Sequence, residues 1–151
     1  GKLELPYSIS VGAGWEEKDV WTLAFDVHST NWSTYRSFGS VDSLQNSFGV
    51  NVGGSFIPNY MDYKHYFKRI EYRAGAKFDG GNLILADKSI SSYGVSLGIG
   101  LPLGKSKSKL NLTGEYYARG TTANNLIKEE YFRIVMGLNF SDKWFQRYKY
   151  E

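Results

Sequence analysis

The sequence contains no cysteine, which excludes a disulfide scaffold, cysteine-based zinc sites, iron–sulfur clusters and thiol catalysis. It also lacks a long apolar run, because no stretch approaches the roughly 20 residues that a transmembrane helix needs. That absence excludes only helical membrane proteins, and a membrane protein that crosses with β-strands stays possible. Nor is there a strong charge imbalance, since 18 Lys and Arg stand against 15 Asp and Glu. The net charge of +3 gives no reason to expect a nucleic-acid partner.

Aromatic residues and glycine are abundant instead, with 4 Trp, 12 Tyr, 9 Phe and 17 Gly in a chain of 151 residues. Apolar side chains recur at every second position, as in residues 7–15, where Tyr, Ile, Val, Ala and Trp alternate with Ser and Gly. A period of two indicates β-strands, and no helix fits between the alternating segments. The sequence therefore predicts an all-β, antiparallel, up-and-down fold with strands at residues 7–15, 21–28, 47–56, 66–78, 92–103, 110–119 and 131–140.

The connections and the aromatic residues favour a transmembrane β-barrel. Compact connections alternate with longer polar ones, as periplasmic turns alternate with extracellular loops in outer-membrane barrels. The compact connections are 16–19, 58–64 and 104–108, and the longer ones are 33–43, 79–90 and 121–128. Aromatic residues gather at strand ends, as at the two lipid interfaces of a barrel. The lower rim would hold Trp15, Trp21, Phe56, Phe140 and Trp144, and the upper rim Tyr7, Phe48, Phe78, Tyr93, Tyr116 and Phe132. A soluble, lipocalin-like barrel with its apolar face inside is the alternative.

The strand count is odd, whereas single-chain bacterial barrels close with an even number of strands. Three explanations are open: a strand hidden from the pattern, a partner that supplies the rest, or a fragment that lacks its N-terminal part. We favour the fragment. On this interpretation residues 1–140 form part of a larger barrel, and residues 141–151 form a C-terminal periplasmic tail.

Charged residues on the predicted polar face are the candidate functional residues of a barrel lumen. They alternate with strands that present Ser, Gly or Asn, so that long side chains can fold over short ones and pair. The candidates are Asp26, His28, Arg69, Glu71, Arg73, Lys77, Glu115, Arg119 and Arg133. Two roles stay open for them: a structural lattice of salt bridges, or contact with an anionic headgroup or a plug segment.

Catalysis and metal binding are poorly supported by the pattern. His28 and Asp26 share a strand face, and Ser29 or Thr30 could complete a hydrolase triad. That spacing, however, occurs on any strand, and the sequence shows no oxyanion hole. Two histidines and scattered carboxylates do not predict a metal site either. We therefore predict no enzymatic activity, no metal and no cofactor.

Short motifs in two hairpins point to a family of outer-membrane proteins. They are Leu5-Pro6 before Gly12, then Trp21-Thr22-Leu23, Asp26 and Trp32-Ser33, and downstream Ile57-Pro58-Asn59, Tyr72-Arg73-Ala74-Gly75 and Phe78-Asp79. In these positions the chain resembles the long-chain fatty-acid transporter (FadL) family, over most of residues 5–140. The resemblance implies a fourteen-stranded barrel with an N-terminal plug and a lateral opening, of which this chain would be the C-terminal half.

Our leading hypothesis is a channel of the Gram-negative bacterial outer membrane for passive uptake of hydrophobic small molecules such as fatty acids. Its partners would be membrane lipid, the hydrophobic ligand, and the missing N-terminal half or a second copy that closes the barrel. The alternative is a non-transporting outer-membrane barrel that acts as an adaptor or structural partner in a secretion or assembly complex. A small barrel enzyme is a distant third hypothesis.

Overall fold

A computed structural model describes residues 2–37, 44–85, 88–104 and 108–141. Seven strands of 9–12 residues form one sheet. In chain order they are β1 (Ser8–Glu17), β2 (Trp21–Thr30), β3 (Ser47–Phe56), β4 (Glu71–Asp79), β5 (Ser92–Pro102), β6 (Lys109–Gly120) and β7 (Lys128–Asn139). Two pairs of two-residue strands lie in the connections, Leu3–Glu4 with Arg36–Ser37 and Ile84–Leu85 with Lys88–Ser89. Three single 3₁₀ turns complete the described structure: Trp32–Thr34, Tyr66–Arg69 and Ala123–Asn125.

The seven strands follow one another in the sheet in chain order, and every neighbouring pair is antiparallel. The predicted all-β, antiparallel, up-and-down arrangement of seven strands is thus confirmed. Between β1 and β2 the chain reverses in a tight turn in which the Val20 N–H donates to the Glu17 carbonyl at 3.0 Å. Asp19 adopts a φ of 60° in this turn, a conformation that aspartate tolerates better than most side chains. Among the described residues β1 and β7 do not pair, so the sheet is open and no closed barrel is formed.

The register keeps the two faces separate across the whole sheet. Trp21 lies opposite Phe56, which in turn lies opposite Tyr72. On the other face, Asp26 lies opposite Asn51. Because a slip of one residue would move every side chain of a strand to the other face, this continuity gives one apolar face and one polar face over all seven strands.

Most strand ends lie within two residues of the sequence prediction, and two strand starts differ by three residues or more. The fourth strand, predicted from Tyr66, begins at Glu71, because Tyr66–Arg69 forms a 3₁₀ turn. The Asn59 N–H donates to the Lys68 carbonyl at 2.7 Å and holds this turn against the preceding connection. The seventh strand begins three residues earlier than predicted, at Lys128, which lies opposite Gly120. Of the predicted tail, residues 142–151 lie outside the described residues.

The sheet has almost no hydrophobic core of its own. The accessible surface of the chain is 11530 Å², whereas a compact protein of 17.1 kDa exposes about 7,800 Å². Among the described apolar residues Ile57, Ile70 and Ala118 are buried. Across the described ranges no helix is long and apolar enough to cross a membrane. The apolar face therefore has no covering layer within the described part of the chain.

Candidate functional site

The structure brings eight of the nine candidate residues to the polar face of the sheet. They come from alternate strands and from the edge: Asp26 and His28 on β2, Glu71, Arg73 and Lys77 on β4, Glu115 and Arg119 on β6, and Arg133 on β7. Between them β3 and β5 present glycine, serine and asparagine. The predicted alternation of long and short side chains is therefore present, although a lumenal function for these residues stays a prediction.

The first group of polar contacts joins β2 to β4 across a glycine. His28 and Asp79 both lie opposite Gly49 in the register, and His28 Nε2 lies 3.3 Å from Asp79 Oδ2. His28 Nδ1 lies 3.6 Å from Asp26 Oδ1. A side chain at position 49 would collide with the imidazole ring of His28. Only glycine therefore leaves room for contact between strands that are not neighbours.

The same construction occurs twice more, between β4 and β6. Lys77 and Tyr117 lie opposite Gly94, and the Lys77 ammonium nitrogen lies 4.7 Å from the centroid of the Tyr117 ring. A cation over an aromatic ring is held by the ring quadrupole. A methyl group at Gly94 would lie 2.9 Å from Lys77 Cε. Gly94 is thus needed for this contact as Gly49 is for the first.

The third group is an ion cluster centred on Glu71. Arg73 donates from Nε and Nη2 to the two carboxylate oxygens of Glu71, both at 2.9 Å. Lys109 Nζ donates to Glu71 Oε2 at 2.7 Å, and Arg73 Nη1 donates to Asn111 Oδ1 at 2.9 Å. These contacts pass over Gly100, which lies opposite both Glu71 and Asn111. The Glu71 side chain is 13% exposed, so its charge is satisfied largely by protein.

The two remaining β6 candidates lie nearer the β7 edge. Arg133 on β7 donates from Nε to Glu115 Oε2 at 3.0 Å, and Nη2 contacts the same oxygen. Arg119 lines a polar cavity of about 290 Å³ at one end of the sheet, together with His28, Lys77 and Asp79. The polar face thus carries charge pairs along most of its width.

Arg69 is the candidate that was placed wrongly. It belongs to the 3₁₀ turn before β4 and not to the polar face of a strand. Its Nη2 donates to the Gly104 carbonyl at 2.9 Å, and its guanidinium carbon lies 4.9 Å from the centroid of the Tyr63 ring. Arg69 therefore fastens one compact connection to another.

The geometry does not assemble a hydrolase triad around His28. The Ser29 hydroxyl donates to the Ser47 carbonyl at 3.3 Å, and the Thr30 hydroxyl lies 2.9 Å from the Ser8 hydroxyl. Both candidate nucleophiles are therefore engaged away from the imidazole. In the described ranges no three His, Cys, Asp or Glu side chains converge in a way that could hold a metal ion.

Many side chains of the apolar face are exposed. Leu97, Ile134 and Met136 are each more than 70% exposed. Aromatic residues recur eight positions apart at three strands: Phe48 and Phe56 both lie in β3, Tyr7 directly precedes β1, which holds Trp15, and Phe140 directly follows β7, which holds Phe132. Phe78 lies opposite Tyr93, and Tyr116 opposite Phe132. Trp144, assigned above to the lower rim, lies outside the described residues.

A broad cavity of about 1160 Å³ opens on the apolar face, which the sequence did not predict. Trp21, Phe56 and Tyr72 line one end of it, and Gly54 and Ala74, which lie opposite each other, belong to its floor. The signal in the sequence was a pair of small residues, Gly54 and Ala74, at positions of the apolar face that are neighbours across two strands. Finding it needed the register between β3 and β4.

The sheet pairs several charges on its polar face, and nothing in the described part of the chain covers its apolar face. These features are typical of the class of β-sheet proteins whose apolar face contacts lipid or another protein. The family model BamG matches residues 1–151, and the chain therefore belongs to the BamG family. No curated protein and no solved structure is detectably similar to the chain.

This family membership overturns the resemblance to the fatty-acid transporter family. The predictions of fatty-acid and lipid transport that came with the resemblance were wrong. The motif residues that carried the resemblance have local structural roles. Asp26 accepts a hydrogen bond from Asn51 at 3.1 Å, and Trp32 begins a 3₁₀ turn and contacts the Tyr35 ring. Such roles arise in any hairpin of an amphipathic sheet, so these motifs do not identify a family.

Proposed function

We propose that this protein is a non-enzymatic component of the Bam complex of the bacterial outer membrane, and that it serves in the assembly of outer-membrane proteins. The observation that carries the proposal is the match of the BamG family model to residues 1–151. It favours the adaptor or structural-partner hypothesis over transport of hydrophobic molecules. The amphipathic sheet supports the proposal, because it offers a wide apolar surface without a core of its own.

Membrane insertion of the sheet is part of the proposal, and the spacing of the aromatic residues supports it. Eight residues of a strand span about 27 Å. For a strand tilted by about 40°, that length corresponds to about 20 Å along the membrane normal, close to the apolar band of about 25 Å in outer-membrane barrels. The aromatic pair of β3, Phe48 with Phe56, would then lie at the two interfaces, as would Phe132 of β7 and Phe140 directly after it.

The polar face supports a structural role. Several of its ionic groups are paired with one another, as in the cluster of Glu71, Arg73 and Lys109. Charged side chains that pair with one another across strands rigidify the sheet, and no ligand is needed for this. In the proposed arrangement, strands from outside these residues would complete the enclosure on the polar side, as in the larger barrel that the strand count suggests.

The test is depletion of the protein in its native bacterium. We expect folded outer-membrane proteins to decrease while their unfolded precursors accumulate, and we expect the tagged protein to copurify with the other subunits of the Bam complex. Resistance of the protein to extraction by alkaline carbonate checks the membrane insertion. Normal assembly of outer-membrane proteins after depletion, together with absence from the purified complex, would refute the proposal.

A further inference from the structure

The connection between β3 and β4, residues 57–70, exposes large apolar side chains to its surroundings. Met61, Tyr63 and Phe67 are 70%, 61% and 75% exposed. Single exposed apolar residues are common on protein surfaces, but several on one short connection are typical of a surface that contacts lipid or another protein.

Hydrogen bonds within the connection fix its backbone. The Asn59 N–H donates to the Lys68 carbonyl at 2.7 Å. Asp62 Oδ1 accepts hydrogen bonds from the N–H groups of Lys64 and His65, both at 3.0 Å. Because these bonds already order the backbone, covering the exposed side chains costs little further conformational entropy.

The connection adjoins the row of aromatic residues at one end of the apolar face. Phe56, the last residue of β3, lies opposite Trp21 and Tyr72 in the register. The Tyr72 hydroxyl donates to the Phe67 carbonyl at 3.2 Å. Phe67 therefore lies next to this row, just beyond the strand ends. In a sheet inserted into a membrane, aromatic residues at this level lie among the lipid headgroups.

The charges of the connection are mainly basic. Lys64, Lys68 and Arg69 stand against one carboxylate, Asp62. Asp62 pairs with Lys68 at 3.1 Å, whereas the exposed Lys64 forms no ion pair with any residue in the described part of the chain. The turn between β1 and β2 at the same end of the sheet differs, since residues 16–19 hold three carboxylates, one lysine and no aromatic residue.

We infer that the β3–β4 connection lies in the headgroup region of one membrane leaflet and binds anionic phospholipid there. The inference rests on the proposed function, because it requires the sheet to be inserted in a membrane. Phe67 and Met61 contact the lipid, and the Lys64 ammonium group contacts a lipid phosphate. Lipid is favoured over a protein partner because Phe67 adjoins the aromatic row of the apolar face, where the membrane begins, and because the excess charge is positive.

The experiment attaches the fluorophore nitrobenzoxadiazole to a single cysteine of the full-length protein in lipid vesicles. Residues 1–151 contain no cysteine, and any cysteine elsewhere in the protein is replaced by serine. Phe67→Cys carries the label, with Met61→Cys as a second site, and lipids with a nitroxide near the headgroup quench it. The dependence of quenching on the fraction of nitroxide lipid gives an association constant for each lipid.

We expect a larger association constant for phosphatidylglycerol, which is anionic, than for phosphatidylcholine, which has no net charge. Lys64→Gln should lower the ratio of the two constants by up to about fivefold, because a lysine at an anionic membrane surface contributes about 1 kcal/mol. Lys18→Gln is the matched control, since it removes a lysine from the acidic turn at the same end of the sheet. It should leave the ratio unchanged.

Three outcomes would overturn the inference: equal constants for the two lipids, a ratio that Lys64→Gln does not lower, or protection of both label sites from all lipid, as under a protein partner. A label at Leu97→Cys, in the middle of the apolar face, reports insertion of the sheet through quenching by nitroxides deep in the acyl chains. If this label is quenched and the protein copurifies with the Bam complex while the other results fail, the inference about the connection alone is wrong. If the Leu97→Cys label is not quenched and the protein is absent from the complex, the proposed function fails.

Discussion

The two faces of this sheet are built by the same seven strands, yet their side chains differ in whether they find partners within the chain. On the polar face, charged groups find partners within the chain, two strands away and across a glycine, as His28 and Asp79 do across Gly49. On the apolar face, side chains such as Leu97 and Ile134 lie open and contact few other groups. Many groups of the polar face thus have partners within the chain, whereas few apolar side chains of the described residues are buried.

This difference shows where the specificity of the fold resides. Hydrophobic burial normally drives folding, at about 25 cal/mol per Å² of apolar surface removed from water. Few apolar side chains of the described residues are buried, so under the proposed function this contribution comes from lipid or a protein partner and not from an interior. The register is determined by the ladder of hydrogen bonds and by polar contacts such as those of Glu71 with Arg73 and Lys109. The effect of a substitution on the apolar face should therefore depend on whether lipid is present. The effect of a substitution on the polar face should depend on the contacts that it breaks within the chain.

The largest effect is expected from a charge in the middle of the apolar face. Leu97→Lys should lower the free energy of unfolding in lipid vesicles by about 2–4 kcal/mol, the range for lysine at the midplane of a membrane barrel. In water an exposed position such as this one would change by about 0.5 kcal/mol or less. Urea titration of the full-length protein in vesicles measures the difference, with Leu97→Met as the conservative control. A loss below about 0.5 kcal/mol for the lysine variant would contradict a lipid-facing surface.

On the polar face, the most sensitive position should be Glu71. Glu71→Gln removes the charge that Arg73 and Lys109 share, and both cations are then left partly buried. We expect a loss of about 1–3 kcal/mol, since hydrogen bonds to charged groups contribute this much. Glu115→Gln is the matched control, because its partner Arg133 is 57% exposed and an exposed pair contributes about 0–1 kcal/mol. Equal losses at both positions would show that burial does not distinguish the two pairs.

The sequence was sufficient to predict the strands and their faces, because a period of two follows directly from strand geometry. It did not predict that Tyr66–Arg69 leaves the sheet. The pattern assigned Tyr66, Lys68 and Ile70 to one face of a strand that continues into Tyr72, so it gave no sign of a break. The turn is held by a hydrogen bond from the Asn59 N–H to the Lys68 carbonyl, nine residues apart within the same connection, which the alternating pattern does not reveal. Likewise, the charged residues of the polar face were visible in the sequence, but pairs such as His28 with Asp79 depend on the register of three strands.

The glycines of the polar face allow a comparison within one strand. Gly49→Ala places a methyl group against the His28 ring and should lower the free energy of unfolding by about 1–3 kcal/mol, as overpacking does. Gly53→Ala lies on the same face of β3, where the nearest atom outside its chain neighbours would be 3.5 Å away. This control should be neutral or stabilising by up to about 1 kcal/mol, because alanine restricts the unfolded chain. Urea titration of both variants in vesicles checks the pair, and equal effects would argue against contact across Gly49.

The smallest effect is expected in the compact connection between β3 and β4, outside both faces. Burial alone would raise the pKa of Asp62, but hydrogen bonds from the Lys68 ammonium, from His65 and from the Lys64 N–H outweigh it and lower the pKa below its usual value. The ionised carboxylate therefore stabilises this connection above about pH 4, the pKa of an unfolded aspartate, and the stabilisation is lost as the pH falls through the lowered pKa. Hydrogen exchange at the Lys64 and His65 amides, which donate to Asp62 Oδ1 at 3.0 Å, measures this directly. Protection, corrected for the pH dependence of intrinsic exchange, should stay constant from neutral pH to about pH 4 and decline below it. Asp62→Asn should remove that decline, and a decline that persists unchanged in this variant would contradict the role of the Asp62 carboxylate.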